Sequence, residues 1–120
     1  MTKMQNSKEY DLEDRTLEFA RGVRVFIKKL PKTIASIEDG KQVVRSSGSV
    51  GANYIEANES LSKKDFAMRI KICRKEAKES RYWLNLIETS DIEHEKERKN
   101  LIQEALELTN IFGSILRKTK

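Results

Sequence analysis

Arg45-Ser46-Ser47-Gly48-Ser49-Val50-Gly51-Ala52-Asn53 decides the fold. Read locally, its serines and glycines spell a loop. Yet Val43, Ser47, Val50, Tyr54, Asn58 and Leu61 carry one helical stripe straight through it. Gly48, Gly51, Ala52 and Ile55 form a neighbouring stripe of small residues. A glycine costs a helix up to ~1 kcal/mol relative to alanine, so these need a compensating cause. Close approach of another helix supplies one. The stretch is therefore read as helix, from about residue 37 or 39 to 60.

Three further segments surround it. On the N-terminal side, Leu12, Thr16, Phe19, Val23, Phe26 and Leu30 alternate spacings of four and three, which predicts a helix over residues 11–30. Pro31 ends it, since proline has no amide proton and disfavours helix at the residue before it. On the C-terminal side, Ser62 can cap a third helix, with Asp65 three residues on as in a capping box. Phe66, Ile70, Cys73, Ala77, Ser80, Leu84 and Ile87 then give it three heptads of core positions. A fourth helix starts near residue 91 or 92 and runs to about 117, with Ile102, Ala105, Thr109, Phe112 and Leu116 inward. Short connections make neighbours antiparallel, so the expectation is an all-α, up-down-up-down four-helix bundle. It forms a single domain over residues 1–120, with residues 1–10 as a flexible tail.

Composition agrees with that class. The 120 residues are 38% hydrophobic and 36% charged, with one proline and five glycines, too few breakers for many short strands. No apolar run approaches the roughly eighteen residues a membrane span requires, and the N-terminus lacks the apolar stretch of a secretory signal. The single cysteine, Cys73, has no partner for an internal disulfide and fits a reducing, cytoplasmic location.

Two faces carry more than a lone bundle needs. Met68, Ile72, Trp83 and Leu86 lie together on the third helix, away from its core stripe. Leu101, Leu108 and Ile115 repeat at heptad spacing on the fourth. Second apolar stripes with Trp and Met are what a subunit interface supplies, so these seven are candidate homo-oligomer contacts. The alternative is that they broaden the core at its margins. The net charge of +5 is also uneven. Residues 61–90 hold eight Lys/Arg against four Asp/Glu, whereas residues 91–120 balance six against six. Lys71, Arg74, Lys78 and Arg81 form one outward basic row. Arg21, Arg24 and Lys28 form a second on the first helix. Both are candidate nucleic-acid contacts, directed at phosphates because Tyr82 alone among aromatics adjoins them.

The residues for catalysis do not assemble. His94 sits in the charged Asp91-Ile92-Glu93-His94-Glu95, where Asp91-x-x-His94 is a lone near-miss to the paired Glu-x-x-His of a di-iron bundle. Cys73 lies on the core stripe as a buried thiol. Gly48-x-x-Gly51 follows no strand and precedes no Lys-Ser/Thr, so it is no phosphate loop. Glu56, Glu76 and Glu79 could form a carboxylate site, but pairing with Arg or Lys of another helix is the better reading. No enzyme activity, metal, cofactor or small-molecule substrate is expected.

Arg15-Thr16-Leu17-Glu18-Phe19-Ala20, Leu30-Pro31-Lys32-Thr33, the central stretch extended through Tyr54-Ile55-Glu56-Ala57, and Lys75-Glu76-Ala77-Lys78-Glu79-Ser80-Arg81-Tyr82-Trp83-Leu84 resemble the four helix bundle protein family. That family includes the 23S rRNA-intervening sequence proteins, and the accessory variability determinants of diversity-generating retroelements are related. The resemblance covers residues 11–116. It implies a homopentameric ring without enzymatic activity. The retroelement branch binds nucleic acid and a reverse transcriptase through basic surface. Two functions follow as expectations: a nucleic-acid-binding homopentamer, or a protein-binding scaffold or accessory subunit, for example of a reverse transcriptase.

Overall fold

The computed structural model describes residues 12–119; the expected tail, residues 1–10, lies outside them. Four helices follow one another: α1 (Leu12–Lys28), α2 (Ile34–Asn58), α3 (Lys63–Leu86) and α4 (Ile92–Lys118). Each packs antiparallel on the next, and α4 closes on α1, giving an up-down-up-down bundle of 45 × 34 × 19 Å.

The central stretch is helical throughout, and no glycine has positive φ. A β-carbon on Gly51 would stand 2.8 Å from Thr16 Oγ1, and one on Gly40 3.2 Å from Ile27. Missing side chains thus let α1 lie close against α2. Phe19, Val23 and Phe26 of α1 meet Val43 and Val50 of α2, Ile70 and Leu84 of α3, and Leu108 and Phe112 of α4 in one core. Buried polar groups are mostly answered inside it. The Ser46 and Ser80 hydroxyls lie 2.8 Å apart across α2 and α3, and Ser80 also donates to the Glu76 carbonyl. Thr16 and Thr109 donate to carbonyls one turn back.

Helix ends differ from expectation in three places. Before Pro31, α1 stops at Lys28, and Lys29 and Leu30 finish it with tighter bonds to Phe26 and Ile27. The second helix begins at Ile34, not at residue 37 or 39. Thr33 caps it in a reciprocal box with Ser36, in which Ser36 N–H donates to Thr33 Oγ1 and Thr33 N–H to Ser36 Oγ. It also ends at Asn58 rather than residue 60, so Leu61 falls in the connection, 97% exposed, instead of on the core stripe. The remaining starts fall as expected. Ser62 accepts from Asp65 N–H, and Asp91 accepts from Glu93 and His94 N–H. The last two bonds hold the Asp91 carboxyl below its usual pKa. Asp91-x-x-His94 is thus a helix cap.

Candidate nucleic-acid interface and assembly surface

Among the described residues, some cations are held by carboxylates of a neighbouring helix and others make no such pair. Arg15 of α1 grips Glu104 of α4 with two bonds of 2.8 Å and reaches Glu107 with a third. Lys29 meets Glu97 at the other end of the same seam. Arg45 of α2 pairs with Glu79 of α3 at 2.6 Å and lies 3.6 Å from Glu76. The Trp83 indole also donates to Glu79, and these partners, Trp83 first, hold its carboxyl below the usual range. Arg98 binds both oxygens of Glu95 and the Leu84 carbonyl; with Thr89 it lowers Glu95 to about 2.

On α3 the acidic Glu76 and Glu79 turn toward Arg45 on α2, which leaves the opposite side of the helix wholly basic. Lys71, Arg74, Lys78 and Arg81 stand there exposed, and none pairs with a carboxylate among the described residues. Arg74 lies along α4, its Nε 3.6 Å from where a β-carbon of Gly113 would be, and Arg117 reaches the same point at 3.6 Å. Lys71 and Arg117 border one shallow hollow with Ala67 and Leu116. Arg117 therefore joins the row. Its only signal in the sequence was a basic last turn on α4, a placement that the helix dipole alone explains.

The second row sits elsewhere. Arg21, Arg24 and Lys28 are exposed on α1, and α1 does not adjoin α3. Arg21 makes a loose exposed pair with Glu18 at 3.6 Å, and Arg24 donates to the Ala20 carbonyl. Arg21 and Arg24 border the α1/α2 groove, whereas Lys71 of the α3 row borders the α3/α4 groove. Within one chain the two rows do not merge.

Of the seven apolar contact candidates, Met68 and Leu86 are exposed and Ile72 is half-buried. Trp83 is half-buried against the core, with Tyr82 edge-on to its ring. Leu101 and Ile115 also lie half-buried against the core, Leu101 filling the space beside Gly22. Leu108 is a correction: it is fully buried within the chain and has no surface to contribute to a partner. It faces inward because α4 packs between two neighbours, α1 and α3, which widens the apolar arc it needs. Leu17, Ile37 and Ile55 are exposed along α1 and α2 instead.

The remaining reactive groups are embedded. Burial pushes the Cys73 thiol up to about 12. Among the described residues no three His, Cys, Asp or Glu side chains gather as metal ligands, and no helix is long and apolar enough to cross a membrane. Glu76 is buried, and its Oε1 accepts no hydrogen bond.

Comparison with known proteins adds two findings. The family model for 23S rRNA-intervening sequence proteins matches residues 8–114. A crystal structure of a protein with unknown function from the S23 ribosomal protein family of Bacteroides thetaiotaomicron is similar, with 31% identity and a TM-score of 0.71. The match covers 88% of this chain and 98% of that one. No curated protein matches the sequence.

Proposed function

Because the chain belongs to the 23S rRNA-intervening sequence protein family, we propose that it is a non-enzymatic cytoplasmic protein that assembles with copies of itself and holds nucleic acid by its phosphates. The observation that carries this is the row Lys71, Arg74, Lys78 and Arg81, extended by Arg117. It is exposed and has no carboxylate partner among the described residues, in a protein whose arginines at 15, 45 and 98 are bound to carboxylates.

Unpaired guanidinium and ammonium groups at spacings of three and four on one helix present positive charge along a line. Such a line displaces condensed counterions from a phosphate backbone. It lacks stacking aromatics apart from Tyr82, so it grips the backbone without reading unpaired bases. Assembly multiplies the row. A homopentameric ring, with Met68, Ile72, Trp83 and Leu86 of α3 against a neighbour, would repeat it five times around one particle.

Fluorescence anisotropy of labelled duplex and single-stranded oligonucleotides tests the binding. We expect affinity for both, varying little with sequence and falling steeply between about 50 and about 300 mM salt. Absence of binding at the lowest salt overturns it.

A further inference from the structure

We infer that the groove between α1 and α2 is a docking site for an acidic amphipathic helix of a partner protein. It is a surface distinct from the α3 row and independent of it. Two hollows of about 330 and 470 Å³ lie end to end along this groove. Leu17, Ala20, Gly48, Ala52 and Ile55 line the first, and Ile27, Ile37, Gly40 and Val44 the second. They meet between Arg24 and Ile27 on α1 and between Gly48 and Val44 on α2, one turn apart. From residue 37 to residue 55 the groove follows α2 for about 27 Å, the length of a five-turn helix.

Its floor is small and its walls are apolar. Leu17, Ile37 and Ile55 are 47%, 41% and 50% exposed. Gly51 and Gly40 are accounted for by Thr16 and Ile27 of α1. Gly48 is not: a β-carbon there would meet only the end of the Arg24 side chain, at 3.5 Å. A glycine in mid-helix costs stability, and no close packing among the described residues repays it at Gly48. Close approach of a second backbone along the groove gives it a use.

The rim chooses the partner. Arg21, Arg24, Lys32 and Lys41 border the apolar floor, and their only carboxylate contacts among the described residues are exposed pairs of 3.6 Å, Arg21 with Glu18 and Lys41 with Glu38. Glu13, at one end, is held by Asn58. A nucleic acid could satisfy these cations but would cover the Leu, Ile and Gly floor with sugar and phosphate, to no gain. A helix with an apolar stripe flanked by carboxylates satisfies floor and rim together. A second copy fits less well. On the exposed apolar side of α3, Glu76 and Glu79 are already taken by Arg45.

The test uses the full chain and two labelled peptides of about 20 residues, slightly longer than the paired hollows. Both carry a Leu/Ala stripe; one flanks it with Glu and the other with Lys. We expect the Glu peptide alone to bind. Gly48→Leu and Arg24→Glu should each weaken it about ten-fold or more, with helicity by circular dichroism unchanged, and Arg74→Glu should not. Ala52→Glu, at an exposed position, keeps the test decisive if Gly48→Leu disturbs α2. Failure of the Glu peptide to bind, equal binding by the Lys peptide, or indifference to these groove variants overturns the proposal. So does a change of particle mass on Ala52→Glu, which assigns the groove to a second copy. Oligonucleotide binding that falls as far on Arg24→Glu as on Arg74→Glu assigns it to nucleic acid instead. Because Arg74→Glu addresses the α3 row alone, failure there leaves the groove result readable.

Discussion

Thr16 Oγ1 lies 2.8 Å from the point where a β-carbon on Gly51 would stand, whereas the nearest side-chain atom at Gly48, Arg24 Nη2, is 3.5 Å away. Two glycines three residues apart on one helix thus have opposite consequences. Gly51→Ala drives a methyl into a buried threonine that donates to the Leu12 carbonyl, and should destabilise by about 1–3 kcal/mol. Gly48→Ala meets only a flexible side-chain end and gains helix propensity, so it should be neutral or stabilising by up to about 1 kcal/mol. Urea unfolding of both variants checks the pair. Equal effects would mean that α1 does not press on α2 at Gly51.

Arg45 and Glu76 make a second contrast. Glu76 is buried, with Oε1 accepting no hydrogen bond and Arg45 at 3.6 Å as the nearest cation. Arg45→Ala removes that cation from Glu76 and from Glu79 together. It should cost about 1–3 kcal/mol, because a buried carboxylate is left without a partner. Adding Glu76→Gln should recover much of the loss. A double-mutant cycle that gives strict additivity would deny the coupling.

Much of the fold was legible because periodicity survives local chemistry. The apolar stripe through Val43, Val50 and Tyr54 outweighed the loop-like composition of residues 45–53, and the structure is helical there. The first turn of α2 was hidden for the converse reason. Its cap partner is Ser36 rather than Glu or Gln, and Ile34 is exposed, so neither capping nor period marked it. Leu61 read as stripe because spacing alone does not say that the helix has already ended. Spacing likewise gave Leu108 its angle on α4 but not the neighbours that bury it. The charge rows were visible as rows. Which cations stay unpaired was not, since that depends on α2 carrying Arg45 to Glu79.

Acid sensitivity follows from the lowered carboxyls. Glu95 falls from 4.5 to about 2 through Arg98 and Thr89, and Glu79 and Glu107 are lowered as well. Between those two values the unfolded chain holds protons that the folded chain does not, so stability rises with pH across that window. It should be fully present above about pH 4.5 and lost progressively toward pH 2. Arg98→Met should flatten the slope, read by urea midpoints at a series of pH values. An unchanged slope would place the acid sensitivity elsewhere.

Assembly and core are separable by substitution. Light scattering at micromolar concentration should report more than one chain per particle. Met68→Glu and Leu86→Glu change exposed positions, so they should lower the mass while leaving helicity intact. Leu108→Ala should do the reverse, losing about 2–5 kcal/mol of stability through a cavity in the core. A monomer in the wild-type protein would rule out this surface as a homo-oligomer contact.

The two basic rows make the last contrast. Lys71, Arg74 and Lys78 stand on α3 without carboxylate partners among the described residues, whereas Arg21 and Arg24 border the α1/α2 groove and Lys28 is exposed on the same helix, α1. Phosphate binding by the first row has a quantitative signature. On duplex DNA the slope of log affinity against log salt should flatten by about 0.9 for each phosphate that the protein no longer neutralises. Replacing the α3 triplet with Gln should therefore weaken binding and flatten the slope together, at unchanged particle mass because these side chains lie off the apolar faces. The same change at Arg21, Arg24 and Lys28 should leave the slope near the wild-type value, because a helix-docking groove does not track a phosphate backbone. Anisotropy titrations of both triplets at several salt concentrations decide the matter. If the α3 triplet leaves affinity and slope unchanged, the row is only a solvated face, and the nucleic-acid function falls with it.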